Sequence, residues 1–194
     1  GLQSIPGGGA EILSDRVRQE LCPNKATASE WLEVQRTAHK MGIRSNASML
    51  YGHIETLEER VDHLLSLRAL QDETGGFQTF ICFPFHPGNT ELEATHQRTS
   101  LWDELKTMAI SRLMLDNFSN IKAYWVMLTL PIAQLALGFG ANDIDGTVSE
   151  EKIMHAAGAK SDTFLTQETI IETIRQIGRI PVERDSMYQI IRTL

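Results

Sequence analysis

The chain has 194 residues, 42% hydrophobic and 22% charged, enough for one globular unit with a substantial core. Its 18 basic and 25 acidic residues give a net charge of −7 with no basic stripe, which argues against nucleic acid or an anionic membrane as partner. Cys22 and Cys82 lack the paired spacing of a metal clip, and no segment reads as a signal peptide or a bilayer span, so a reduced, cytoplasmic protein is expected.

The chain opens on Gly1 and runs Leu2-Gln3-Ser4-Ile5 straight into Pro6-Gly7-Gly8-Gly9, like a strand–turn unit entered midway, so a fragment of a longer protein is expected. Ser14 caps a short helix over 14–21 that Pro23 stops. Thr27 or Ser29 opens a second helix to Met41, closed by Gly42. Residues 43–51 read as a strand. Thr56 and Glu59 have the spacing of a capping box, and the helix they open carries Val61, Leu64, Leu65, Leu67 and Leu70 on one broad face. Residues 77–85 form an apolar strand, and 101–115 a helix with Leu105, Ala109, Leu113 and Met114 inward. The rest reads as a buried strand over 121–128, a short helix over 132–137 and a short strand over 141–144. An irregular stretch holding Gly158 leads to a terminal helix over 167–177.

Strands alternating with helices predict an α/β fold with a parallel sheet and crossover helices. Three strands end in small and polar residues: Gly52-His53-Ile54-Glu55, His86-Pro87-Gly88-Asn89-Thr90, and Asn142-Asp143-Ile144-Asp145-Gly146-Thr147. Polar loops after several strands point to a barrel face, whereas a doubly wound sheet binds near one switch point. A complete barrel takes about 250 residues, so four or five strands here fit half of one. The expectation is the C-terminal half of a TIM-type (β/α) barrel over residues 1–148, its fourth to eighth strands, with residues 149–194 as an extension packed on it. On the order of 100–150 residues would then lie upstream. An open half-barrel exposes strand edges and inner apolar side chains such as Phe80, Phe83 and Val126, so self-association is expected.

Longer motifs carry a resemblance. They are Ser4-Ile5-Pro6-Gly7-Gly8-Gly9-Ala10-Glu11-Ile12-Leu13, Met49-Leu50-Tyr51-Gly52-His53-Ile54-Glu55-Thr56, Leu70-Gln71-Asp72-Glu73-Thr74-Gly75-Gly76-Phe77, and Phe139-Gly140-Ala141-Asn142-Asp143-Ile144-Asp145-Gly146-Thr147-Val148. Together these resemble the radical S-adenosylmethionine (SAM) enzymes that handle futalosine intermediates and a deazaflavin precursor. Ala123-Tyr124-Trp125-Val126-Met127-Leu128, Asp145, and Glu150-Glu151-Lys152-Ile153 with His155 and Gly158 are most similar to the aminofutalosine synthases, the cyclic dehypoxanthine futalosine synthases being the nearest rival. The resemblance implies addition of a 5′-deoxyadenosyl radical to the enol ether of 3-(1-carboxyvinyloxy)benzoate, with rearrangement and loss of carbon dioxide giving 6-amino-6-deoxyfutalosine in menaquinone biosynthesis. It also implies SAM and a 4Fe–4S cluster as cofactors. Such clusters sit on three cysteines in C-x3-C-x2-C. This chain has two cysteines in all, so alone it should not cleave SAM. A non-catalytic half-barrel binding module is the reading from a different class.

By the same resemblance Glu11 would contact SAM, with Arg16 near its methionyl carboxylate; the plainer reading is a helix-start acid and a surface arginine. Gly52 and Glu55 match loosely the strand that lies beside the adenine, Gly52 allowing close approach and Glu55 alternatively holding a loop. His53 is the candidate proton-transfer or donor residue, or else a histidine bonded to strand-end backbone. His86, between Pro84 and Pro87, is a substrate-binding candidate, or a solvent-facing turn histidine. Asn142, Asp143 and Asp145 suit ribose or substrate hydroxyls, or merely satisfy their own turn. His39, His63 and His96 carry no assigned role, six histidines without metal spacing make no metal site, and Arg44 lies at a strand start.

Overall fold

A computed structural model describes residues 1–94, 96, 98–147 and 164–194. Strands β1 (Ser4–Ile5), β2 (Arg44–Tyr51), β3 (Phe77–Pro84), β4 (Ile121–Ala123) and β5 (Asp143–Ile144) form one sheet in that order, every neighbouring pair parallel. Helices α1 (Asp15–Leu21) and α2 (Ala28–Lys40) connect the first two strands, and α3 (Leu57–Thr74) the next two. Helix α4 (Leu101–Met114) precedes β4, and α5 (Trp125–Leu128) and α6 (Leu130–Ala136) precede β5. Each crossover steps to the adjacent strand, so the order never reverses and no switch point arises. That is the wall of a barrel.

The two faces of the wall differ. Period-two alternation puts Ala47, Met49 and Tyr51 of β2 and Phe80 and Cys82 of β3 on the helix side, each at most 1% exposed, in one cluster with Leu64, Leu67 and Met108. Burying each large side chain contributes about 1.5–3 kcal/mol. On the other face Asn46, Ser48, Leu50, Ile81 and Phe83 remain half-buried. A doubly wound sheet would cover both.

The helix starts follow their caps. Thr27 closes a capping box with Glu30, and Thr56 one with Glu59, while Gly75 ends α3 in the left-handed region at φ 61°. Other expectations need correction. Residues 121–128 are not one strand: β4 stops at Ala123 and α5 follows. A run apolar on every side fits a buried helical turn as well as a buried strand, and Trp125 to Leu128 are all buried. The next helix begins earlier than 132, at Leu130, with Pro131 in its first turn. Leu113 is 78% exposed, Met108 taking the inward place on α4, and Leu65 also faces outward. Phe80 and Val126 are buried rather than lining the open face, where Phe83 alone of the three is half-buried.

Beyond the sheet come α7 (Gln167–Gln176), where a terminal helix was expected, and an antiparallel hairpin of β6 (Val182–Arg184) and β7 (Ile190–Thr193), which was not. Gln134 of α6 donates to the Thr173 carbonyl of α7 at 2.9 Å, tying this extension to the wall. Val148, the 150–153 motif, His155 and Gly158 lie outside the described residues. Among the described residues no helix is long and apolar enough to cross a membrane.

Candidate functional site

The C-terminal ends of the strands gather most of the polar residues anticipated from sequence. The turn after β2 is organised by Glu55, whose side chain is 1% exposed. One carboxylate oxygen accepts the Gly52 amide at 2.6 Å and Arg60 Nε at 2.8 Å, and the other accepts the His53 amide at 2.9 Å. Burial alone would raise the Glu55 pKa, but the His53 ring, the Gly52 amide and Arg60 outweigh it and hold the carboxyl at about 2. Gly52 sits at φ 89°, and a Cβ there would meet Thr99 Cγ2 at 2.2 Å.

His53 turns inward within the same turn. Its side chain is fully buried, Nε2 donates to the Leu50 carbonyl at 3.0 Å, and Nδ1 accepts the Ile54 amide at 2.8 Å. Glu55 Oε2 lies 2.9 Å from Nδ1, an ion pair whenever the ring carries its second proton. Both nitrogens are engaged by the turn, the plainer of the two readings of this residue. Glu55 likewise braces its loop.

At the β1 end, Gly7 passes so close to β2 that a Cβ would lie 1.5 Å from the Asn46 carbonyl oxygen, while Gly8 and Gly9 face open space. Glu11 adopts a positive φ of 44°, accepts the Leu50 amide through its carbonyl at 2.7 Å, and pairs its carboxylate with Lys25. Arg16 is turned away: its guanidinium bonds Glu59 Oε1 at 2.9 Å, Glu59 Oε2 at 2.7 Å and the Ile54 carbonyl at 2.9 Å. The Arg16 bonds, together with those of Ser14 and Thr56, outweigh the opposing effect of burial and hold Glu59 at about 2. In this geometry Arg16 clamps α1 to the start of α3.

After β3, His86 is buried and directs Nε2 at the Met127 carbonyl, 3.0 Å away. Burial lowers its pKa, with the neighbouring Arg98 acting in the same direction and the Met127 bond opposing. Arg98 Nη2 reaches the Met127 and Leu128 carbonyls at 3.3 and 3.4 Å. Those carbonyls precede Thr129, a β-branched residue at φ 77°, ψ 154°.

The acids near β5 divide. Asn142 does not end the strand; it precedes it, donating to the Ser119 carbonyl at 2.9 Å and accepting the Ile121 amide at 2.9 Å, at the opposite end of the sheet from the polar loops. Asp143 receives both Arg184 Nε and Nη2, at 2.9 and 2.8 Å, with Tyr188 Oη at 3.4 Å. Asp145, one step beyond the strand, takes Lys122 Nζ at 2.7 Å. Burial opposes the charge on Lys122, but Asp145, Tyr188 and Asp143 outweigh it and raise its pKa. Arg184 stacks 4.0 Å above the Tyr188 ring, so the C-terminal hairpin closes this acid–base group from below. Sequence reasoning missed Lys122, Arg184 and Tyr188. A lysine between Ile121 and Ala123 in a buried strand was the available signal.

Neither cysteine stands at this face in a ligand set. Cys82 packs 4.0 Å from the Met108 sulfur and burial pushes its thiol up to about 12, while Cys22 caps the end of α1. Among the described residues no three His, Cys, Asp or Glu are placed to hold a metal ion.

A family model described as the CofH/MqnC C-terminal region matches residues 74–194. Aminodeoxyfutalosine synthase of Thermus thermophilus is 50% identical over 195 residues, covering 99% of this chain and 52% of the relative. The 5-amino-6-(D-ribitylamino)uracil–L-tyrosine 4-hydroxyphenyl transferase of Archaeoglobus fulgidus is 44% identical over 192 residues, covering 98% of this chain and 56% of the relative. The chain thus spans about half the length of the curated relatives it matches. Among solved structures, methylornithine synthase superposes with a TM-score of 0.69 at 16% identity, over 93% of this chain and 52% of that one, a likeness of fold.

Proposed function

Because the chain belongs to the CofH/MqnC family of radical SAM enzymes, we propose that it forms the C-terminal portion of an enzyme that adds a 5′-deoxyadenosyl radical to 3-(1-carboxyvinyloxy)benzoate, with rearrangement and loss of carbon dioxide then yielding 6-amino-6-deoxyfutalosine. The observation that carries this choice of substrate is the 50% identity to aminodeoxyfutalosine synthase along 99% of the chain. A second reading, transfer of the tyrosine hydroxyphenyl group to 5-amino-6-(D-ribitylamino)uracil, is supported by the 44% identity of the Archaeoglobus fulgidus transferase.

The two cysteines do not fit a three-thiolate cluster: one is sealed under α4 and the other lies at a helix end. These two residues by themselves make no cluster site. SAM fits better. The open backbone at Gly8 and Gly9, the Glu11 carboxylate and the Gly52 turn are the groups that would hold it, and when bound it supplies the adenosyl group that is transferred. Glu55 and His53 then serve by fixing the Gly52 turn, while His86 and Asp145 offer acceptors to the other substrate. Asp143 acts through the hairpin it anchors.

A longer protein in which these residues follow a three-cysteine segment, reconstituted anaerobically with iron and sulfide, should consume SAM with the carboxyvinyloxybenzoate and give a product containing the adenosine moiety. Turnover with tyrosine and the ribitylaminouracil instead would establish the second reading. The 194-residue chain alone should be inert under either condition.

A further inference from the structure

Two side chains that reach the top of β4 converge on one carbonyl. His86 Nε2 and Arg98 Nη2 both approach the Met127 oxygen, at 3.0 and 3.3 Å. A carbonyl only accepts, so Nε2 carries the ring hydrogen, and the neutral ring leaves a bare lone pair on Nδ1. No described residue is bonded to that nitrogen.

Among the described residues Arg98 is the least compensated cation at the strand ends. Lys25 and Lys122 hold carboxylates at 2.5 and 2.7 Å, and Arg60 holds Glu55 at 2.8 Å. Arg98 Nε stands 3.5 Å from Glu104 Oε1, a side chain that is 1% exposed and whose other oxygen has no hydrogen-bond partner. Burial raises the Glu104 pKa, which weakens the charge facing Arg98 further. Glu104 Oε1 is already taken by Thr99 Oγ1 at 2.8 Å. The Arg98 Nη1 hydrogens have no partner among the described residues, and its side chain is 33% exposed.

We propose that Arg98 and His86 form a carboxylate subsite: the guanidinium binds the anion through its open Nη1 edge, and His86 Nδ1 accepts a hydrogen bond from a donor on the same ligand. Met127 and Leu128 present their carbonyls to this pair because the chain turns at Thr129, so Thr129 is a positioning residue. Among the described guanidinium groups of this face, Arg16 is clamped to Glu59 and Arg60 to Glu55 and Asp103, which leaves Arg98 for an acid. The subsite rests on the reading above only for which carboxylate occupies it, the methionyl group of SAM or the acid of an aromatic substrate.

The test follows the Arg98 Nε–H resonance of the 194-residue chain by nitrogen-15 correlation spectroscopy. S-adenosylhomocysteine and 3-hydroxybenzoate are the carboxylate probes, and adenosine and phenol their controls. A saturable shift with S-adenosylhomocysteine identifies the methionyl source, and one with 3-hydroxybenzoate the aromatic acid; either supports the subsite, with the controls leaving the resonance in place. Arg98→Met should weaken binding about tenfold or more, and Arg98→Lys should restore part of it. His86 should meanwhile show the Nε2–H tautomer, with Nδ1 shifting as probe is added. No saturable shift with either acid, or equal binding by Arg98→Met, overturns the subsite. Binding to the 194-residue chain is independent of SAM consumption by the longer protein, so that result leaves the reaction assignment standing.

Discussion

At Glu55 burial and hydrogen bonding pull in opposite directions, and the balance fixes a pH dependence. Its carboxyl is held at about 2 against a reference of 4.5. A depressed acid stabilises the fold fully above its unfolded pKa, and the contribution is lost as pH falls from 4.5 towards 2. The shift corresponds to on the order of 3 kcal/mol. Glu55→Gln should therefore be less stable than the wild type at pH 7, with a shallower acid limb in urea titrations. His63 acts at higher pH. Fully buried, with Nδ1 accepting the Leu13 amide at 3.0 Å, its ring is pushed by burial from 6.5 to about 3. Between those values the unfolded chain binds a proton that the folded chain refuses, so stability falls as pH drops below 6.5, by about 1.4 kcal/mol per unit. His63→Asn, which keeps an acceptor near the Leu13 amide, should flatten that slope in chemical denaturation between pH 6.5 and 5. What sequence could not disclose at this scale was partnership. Arg16 and His53 have the right chemistry at the right strand ends, but Glu59 and the Leu50 carbonyl lie 43 and 3 residues away and claim them first.

Elements were legible where a local signal decides them. Thr27 with Glu30 and Thr56 with Glu59 carry their capping boxes within four residues, and both helices start there. The strand order was legible too, because alternation of strands and helices with no hairpin signal between them leaves few alternatives. Residues 121–128 were not, since their burial on every side erases the period that separates strand from helix. Asn142 was misplaced for a related reason: β5 is only two residues long, so an error of a residue or two in its bounds decides on which side of the strand Asn142 falls. The turn after β1 supplies a prediction of its own. Gly7 leaves no room for a methyl group, its Cβ position being 1.5 Å from backbone that β2 cannot move without breaking its ladder. Gly7→Ala should lower the melting temperature by several degrees, consistent with a loss of about 1–3 kcal/mol, while Gly8→Ala, in open space, should not.

For the whole molecule the decisive feature is an unfinished wall. Among the described residues, strands β1 and β5 each have a neighbour on one side alone, and both are only two residues long. Short edges limit strand pairing, so the apolar surface beside β5 matters more. There α7 and the hairpin leave Ile180 74%, Ile190 72% and Ile191 59% exposed. A cavity of about 770 Å³ lined by Ile170, Ile174, Ile180 and Val182 adjoins the strand. Apolar surface of this extent on one flank is removed from water most readily by another protein surface. The 194-residue chain should therefore self-associate, with light scattering showing a mass that rises with concentration in the micromolar range. Because the attraction is apolar, association should persist at 0.5 M salt, whereas contacts between exposed charges would be screened there. Ile180→Lys together with Ile190→Lys should shift the chain to the monomer mass without lowering its melting temperature, since both side chains are mostly in solvent. A constant monomer mass for the unmodified chain would mean that the hairpin and α7 already shield this flank well enough to stand alone.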